Sequence, residues 1–191
     1  MDPRVELVRL LAERSVKFGE FTLSSGKRSD FYVDARLTTM SPEGLRAVGA
    51  AGLSALRESG WNVDSVGGLT MGADPVAYAI ALASALEGSR LLRAFSVRKD
   101  VKAHGTRRRI EGPFRKGDRV VIVEDVVTTG ASALAAAAAA EHEHATVAGV
   151  LAVLDREEGG RETIEARGYA VIALATAREV IQAARKSHSP A

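Results

Sequence analysis

The stretch that most constrains this chain runs from Val120 through Val121, Ile122, Val123, Glu124, Asp125, Val126, Val127, Thr128, Thr129, Gly130 and Ala131 to Ser132, and an alanine-rich segment follows it. Four consecutive β-branched residues leave no polar alternate face, which is the pattern of a strand buried on both sides in a parallel sheet. The small polar turn and the run Ala135–Ala140 predict a close-packed helix directly behind that strand. Such a unit needs further strands beside it and helices above and below. The periodicity predicts strands over 63–69, 91–97, 120–125, 147–154 and 169–175, and helices over 74–87, 131–143, 160–167 and 177–186. This alternation defines an α/β chain with a central parallel sheet flanked by helices.

Ahead of the alternating part, residues 3–14 have helical spacing, with Asp2 as N-cap and Pro3 in the first turn. Residues 21–34 read as two short strands around a Ser/Gly turn. A helix over 42–59 is opened by Ser41-Pro42-Glu43 and stopped at Gly60. No linker or internal repeat divides 1–191, so a single domain is expected, with a frayed end over Ser187–Ala191.

In a sheet of this kind ligands gather at the carboxyl ends of the strands, which brings 68–75, 98–112, 124–132 and 155–160 to one edge. There Thr128, Thr129 and Ser132 open a helix whose unpaired N–H groups and dipole favour a phosphate. The acids beside them argue for more than phosphate, since Glu124 and Asp125 would repel one. Carboxylates accept hydrogen bonds from sugar hydroxyls, so the pairing points to a sugar phosphate, with ribose on the acids and phosphate on the turn. The plain alternative is an ordinary strand end carrying solvated acids. Neither a Walker A pattern nor a Gly-x-Gly-x-x-Gly fingerprint is present.

Charge is distributed unevenly. The whole chain has a formal net charge of +2, yet Arg98–Arg119 holds nine Lys/Arg against three Asp/Glu. A basic segment inside an otherwise slightly acidic chain indicates a local anionic partner rather than general nucleic-acid affinity. The absence of cysteine excludes disulfides, thiolate metal sites and cysteine nucleophiles. No apolar run reaches membrane-spanning length, and an N-terminus with Asp2, Arg4, Glu6 and Arg9 is unlike a signal peptide, so a cytoplasmic enzyme or binding protein is expected. His142, His144 and His188 lack metal-ligand spacing and read as solvated.

Three further stretches fall on the ligand edge. Arg98, Lys99, Lys102, His104 and Arg107–Arg109 form a dense cationic loop with Gly105 and Gly112 as hinges, suited to closing over a polyphosphate. Taken alone, the triple arginine fits a patch for RNA phosphates at least as well. Gly67-Gly68-Leu69-Thr70-Met71-Gly72-Ala73-Asp74 is a strand, a turn and a helix start, able to offer backbone N–H groups to phosphate or simply to pack. Arg156, at the end of the strand closing with Leu154-Asp155, has a planar fork suited to a carboxylate, and its everyday alternative is a surface pair with Glu157 or Glu158.

The run Val121–Ser132 resembles the phosphoribosyl-pyrophosphate (PRPP) signature of type I phosphoribosyltransferases. The order Arg98-Lys99-x-x-Lys102-x-His104-Gly105 resembles the catalytic loop of the orotate-using branch of that family. The resemblance covers about Phe21 to Arg156. It implies the type I fold, with residues 1–40 forming a small hood over the base site, and transfer of ribose 5-phosphate from PRPP to orotate in pyrimidine (UMP) biosynthesis.

Carried over residue by residue, the resemblance implies that Glu124, Asp125, Val126, Val127, Thr128, Thr129, Gly130, Ala131 and Ser132 bind the ribose phosphate of PRPP. Arg98, Lys99, Lys102 and His104 would take its pyrophosphate, with Lys102 and Asp125 as the catalytic pair. Thr128 and Arg156 would face orotate. Mg²⁺ would be carried mainly by PRPP, without a protein metal cage. A homodimer is implied in which the 98–112 loop closes over the neighbouring subunit's site, with neither nucleic acid nor membrane as partner. Relatives that carry a lysine in the Gly72 turn, or at Ser24, differ here; backbone contacts would serve at the first, and Lys27 is the available substitute at the second. A transferase for another base, or a non-catalytic PRPP sensor binding RNA through Arg107–Arg109, are the other classes the residues allow.

Overall fold

The computed structural model describes residues 2–22, 28–88, 90–99 and 109–188. In chain order the elements are α1 (Pro3–Arg14), β1 (Val16–Thr22), β2 (Arg28–Val33), α2 (Arg36–Thr39), α3 (Pro42–Glu58), β3 (Ser65–Leu69), α4 (Ala73–Leu86), β4 (Arg93–Val97), β5 (Ile110–Glu111), β6 (Arg119–Val127), α5 (Ala131–His142), β7 (Thr146–Asp155), α6 (Gly160–Glu165), β8 (Val171–Thr176) and α7 (Ala177–His188). The main sheet has the order β5-β4-β3-β6-β7-β8, parallel throughout except for β5. A separate antiparallel hairpin is made by β1 and β2.

The β-branched run explains the centre. Val120, Val121, Ile122 and Val123 are all fully buried in β6, and each such side chain contributes roughly 1.5–3 kcal/mol through its burial. Val121 and Val123 pack on the side of α1, α3, α4 and α7, whereas Val120 and Ile122 pack on the side of α5. Strand alternation thus divides one run between two cores. On α5, Ala133, Ala136, Ala137, Ala139 and Ala140 form the buried stripe, so the helix axis lies close to the sheet. Every predicted strand and helix of the alternating part is present, with ends displaced by no more than two residues.

Three elements differ from the sequence reading. The first hairpin strand begins at Val16 instead of 21, because Gly19 and a register shift between Phe18 and Phe21 break the period-two signal. α2 is a single turn with no side-chain cap, held by the buried Thr38. β5 has two residues and exists through pairing with Ser96 and Val97. Among the described residues, no helix is long and apolar enough to cross a membrane.

Candidate active site

The sheet topology brings the carboxyl ends of β3, β4, β6 and β7 together, as the parallel register requires. Leu69 lies opposite Val97, and Val127 opposite Asp155. The turn after β6 then packs directly on the turn after β7. Gly130 N-caps α5 at φ 79°, and a Cβ there would come within 2.8 Å of the Gly160 carbonyl and 2.9 Å of Ile164 Cγ1. Both the left-handed backbone and the close approach require glycine. Residues Glu124 and Val126 through Ala133 line a concavity of about 100 Å³. Gly130 has no side chain to satisfy the N–H groups of α5, and the helix closes through Leu134 N donating to Gly130 O at 3.0 Å. These are the features of a phosphate-binding helix start.

The two acids have unusual surroundings. Glu124 is only 7% exposed, and its Oε2 has no hydrogen-bond partner among the described residues. Burial, reinforced by the neighbouring Asp125, pushes the Glu124 carboxyl up to about 8, while Lys99 pulls the other way. Asp125 is raised as well, chiefly by burial, against the opposing effect of the Val126 amide that donates to its Oδ1 at 2.9 Å. Raised carboxyls with an orphan oxygen in a concavity mark a functional site better than a structural ion pair does. The charges reaching Asp125 also include Arg36 and Asp34, from the segment after the hairpin.

Neither Arg36 nor Asp34 carried a motif that sequence reading could single out. Their only signal is an acid and an arginine two apart at a strand end.

The cationic loop is anchored at its base. Arg98 N donates to Arg109 O at 2.8 Å, and the Arg98 guanidinium faces Glu111 at 3.5 Å. Lys99, two residues beyond β4, is the charge that opposes the rise at Glu124. Lys102, His104, Arg107 and Arg108 lie outside the described residues, as do Ser24 and Lys27.

Arg156 N donates to Val127 O at 3.0 Å, fixing this residue beside the 128–132 turn. Its side chain is 11% exposed and pairs with Glu158 at 2.8 Å. Glu157 is drawn away by the Arg178 amide at 3.0 Å. The ordinary pairing is therefore present, yet it holds a nearly buried guanidinium on the ligand edge.

In the third stretch, Ser96 Oγ donates to Asp74 Oδ1 at 2.6 Å and lies 3.0 Å from Tyr78 Oη, which secures the start of α4. Thr70 N donates to Val97 O at 2.8 Å. Gly72 lies against Asp125, where a Cβ would stand 2.7 Å from Asp125 Cγ.

The phosphoribosyl transferase domain model matches residues 40–177, which sets the class of protein that this sheet edge serves. The orotate phosphoribosyltransferase of Aquifex aeolicus is 47% identical over 181 residues, spanning 93% of this chain and 97% of its own. That of Pyrococcus furiosus is 42% identical, spanning 94% and 96%. Among solved structures, Mycobacterium tuberculosis orotate phosphoribosyltransferase in complex with Fe(III) dicitrate matches with a TM-score of 0.83 at 42% identity, covering 93% of this chain and 98% of that one. The same enzyme in complex with PRPP matches with a TM-score of 0.79 at 37% identity, with the same coverage. The chain belongs to the phosphoribosyltransferases, in their orotate phosphoribosyltransferase branch.

Proposed function

We propose that the chain transfers ribose 5-phosphate from PRPP to orotate, giving orotidine 5′-monophosphate and pyrophosphate, as a step of UMP biosynthesis. The observation that carries this reading is the juxtaposition at the end of β6. The buried Glu124 and half-buried Asp125 carboxyls adjoin a helix start whose N-cap is a glycine, and Arg156 is fixed by its backbone to the same turn. The 5′-phosphate sits on Thr128–Ser132. The ribose hydroxyls meet Glu124 and Asp125, and the Arg156 fork takes the orotate carboxylate with Thr128 near the base.

Displacement at the anomeric carbon has oxocarbenium-like character, so it needs no protein nucleophile. The chain's work is to hold the sugar, take up the charge of the departing pyrophosphate and exclude water. Arg98, Lys99, Lys102 and His104 supply that charge, with Lys102 the principal cation.

The donor set at the strand end is two neighbouring carboxyls, one held toward its neutral form by burial. That chemistry suits sugar hydroxyls better than a resident metal cage. Mg²⁺ therefore enters as part of the Mg²⁺–PRPP substrate, on phosphate oxygens and waters.

We further infer a homodimer in which the 98–112 loop of one subunit completes its partner's site. Support comes from an apolar groove between α3 and α4 of about 540 Å³, lined by Leu45, Tyr78, Leu82 and Leu86 among others. Tyr78, Leu82 and Leu86 are 54%, 60% and 79% exposed, a cost that burial against a second copy would remove. Arg46 and Glu87 border the groove, each with an ion-pair partner on its own chain, Glu6 and Arg57. Size measurement by sedimentation should give two chains.

A turnover assay with PRPP and orotate, with and without Mg²⁺, tests the reaction itself. Orotate should be consumed only when Mg²⁺ is present, and uracil and purines should not substitute. Consumption of another base in preference to orotate would refute the assignment.

A further inference from the structure

The turn between β3 and α4 is held at both ends by neighbouring residues of β4. At its start Thr70 N donates to Val97 O at 2.8 Å. At its end, in the first turn of α4, Asp74 Oδ1 accepts from Ser96 Oγ at 2.6 Å. Ser96 is buried, and its hydroxyl has one proton to give and lone pairs to receive with. Since that proton goes to Asp74, the 3.0 Å contact with Tyr78 Oη is one in which Tyr78 donates to Ser96. The order Tyr78 to Ser96 to Asp74 is therefore fixed by the acceptor at its end. Each bond in such a chain polarises the next, and the last falls on a carboxylate, the stronger kind of acceptor.

Between the two anchors lies Gly72, and against Gly72 lies the Asp125 carboxylate; a Cβ on the glycine would stand 2.7 Å from Asp125 Cγ. The start of α4 has as little slack. A Cβ on Gly68, the register partner of Ser96, would meet Ala73 Cβ at 2.7 Å. A turn packed this closely transmits a shift of its anchor to what it touches instead of absorbing it. Tyr78 enters from outside: its side chain is exposed where it lines the groove of α3 and α4, yet its hydroxyl reaches the buried serine.

We propose that Ser96, its proton directed by Tyr78, is a positioning residue for PRPP: it holds the 70–74 turn against the Asp125 carboxylate and so sets where that acid stands. Ser96 acts through the turn and through Asp125. The proposal rests on the reading of Asp125 as the acid that meets the ribose.

The test is steady-state kinetics with each substrate varied in turn, together with calorimetric binding of Mg²⁺–PRPP, in the whole protein. Ser96→Ala cuts the chain at its middle and should raise KM and Kd for PRPP about tenfold, with KM for orotate near wild type. Tyr78→Phe keeps the ring and its apolar face, so sedimentation should be unchanged, and PRPP affinity should fall about threefold. Tyr78→Phe/Ser96→Ala should be no worse than Ser96→Ala, because a tyrosine hydroxyl without its serine has nothing left to direct. Asp74→Ala should match Ser96→Ala, and Asp74→Asn, which keeps an acceptor oxygen, should restore most of the PRPP affinity. A residue that only stabilised the fold would lower the melting temperature and leave KM for PRPP in place.

Wild-type PRPP affinity in Ser96→Ala and Asp74→Ala, with Asp125→Asn impaired, would overturn the role of Ser96 alone. Equal losses in Asp74→Ala and Asp74→Asn would also overturn it, since the charge of the acid and not the hydrogen bond would then matter. Additive losses in the double variant would remove Tyr78 from the chain. Should Ser96→Ala fail to fold, the two Asp74 variants decide. Wild-type PRPP affinity in Asp125→Asn would instead overturn the ribose reading beneath the proposal.

Discussion

The Asp125 carboxylate occupies the space into which any side chain at position 72 would grow: a Cβ on Gly72 would lie 2.7 Å from Asp125 Cγ and 2.8 Å from its Oδ2. The turn after β3 and the end of β6 are therefore fitted to each other. Gly72 has φ −64° and ψ −39°, a backbone that alanine adopts freely, so any effect of Gly72→Ala is one of space alone. Overpacking of this kind costs roughly 1–3 kcal/mol, and here it must be relieved by moving the Asp125 carboxylate. Gly72→Ala should raise KM for PRPP about tenfold or more and leave KM for orotate nearly unchanged. Steady-state kinetics with each substrate varied in turn decides it; an unchanged PRPP KM would show that Asp125 does not depend on this space.

Glu124 provides a pH signature in stability. Its carboxyl is pushed up to about 8 in the folded protein, from an ordinary value of 4.5, the reverse of a salt-bridged acid. Between those two values the folded state binds more protons than the unfolded chain, so stability falls as pH rises through the window. Below pH 4.5 the penalty is absent; above about 8 it is fully present, on the order of a few kcal/mol. Glu124→Gln keeps the shape and removes the titration. Its melting temperature should exceed that of wild type by an amount that grows from pH 5 to pH 8. Parallel melting curves across that range would mean that Glu124 ionises normally.

Arg156 is expected to act on one substrate only. Its guanidinium is nearly buried, held by Glu158 at 2.8 Å and by its own backbone beside the 128–132 turn. On the proposed assignment, removing it would deprive the orotate carboxylate of a charge-assisted partner worth roughly 1.5–3 kcal/mol. Arg156→Ala should therefore raise KM for orotate between about tenfold and a hundredfold while PRPP affinity stays near wild type. Equilibrium binding of PRPP alone is the check, since a variant that loses PRPP and keeps orotate would reverse the proposed pocket.

Much of this strand-and-turn arrangement is legible in the sequence because it follows from local chemistry. An unbroken β-branched run followed by two acids and a Thr/Gly/Ser turn can hardly be other than a buried strand leading to a helix start. The carboxyl-end rule then assembles residues distant in sequence, as it did for Glu124, Thr128 and Arg156. Tertiary coincidences were not legible. That Gly72 is small because Asp125 lies over it depends on how two elements meet. The start of β1 was hidden for a related reason, since the irregularity between Phe18 and Phe21 breaks the alternation that announces a strand.

The base of the cationic loop is closed by Arg98 N donating to Arg109 O, while the exposed apolar groove of α3 and α4 offers a second chain a place to sit. If the loop serves the partner's site, damage to loop and to ribose acid should complement across subunits. Lys102→Ala and Asp125→Asn homodimers should each be nearly inactive, the first through a lowered kcat with PRPP binding largely kept. After equal mixing and subunit exchange, half of the dimers are mixed, and each mixed dimer holds one doubly damaged site and one intact site. About a quarter of wild-type activity should return by this counting for a symmetric dimer. A tagged subunit must first show that exchange has occurred. With exchange demonstrated, a mixture that stays inactive places the loop and the ribose acid of each site on one chain, because every mixed dimer would then carry one defect in each of its two sites.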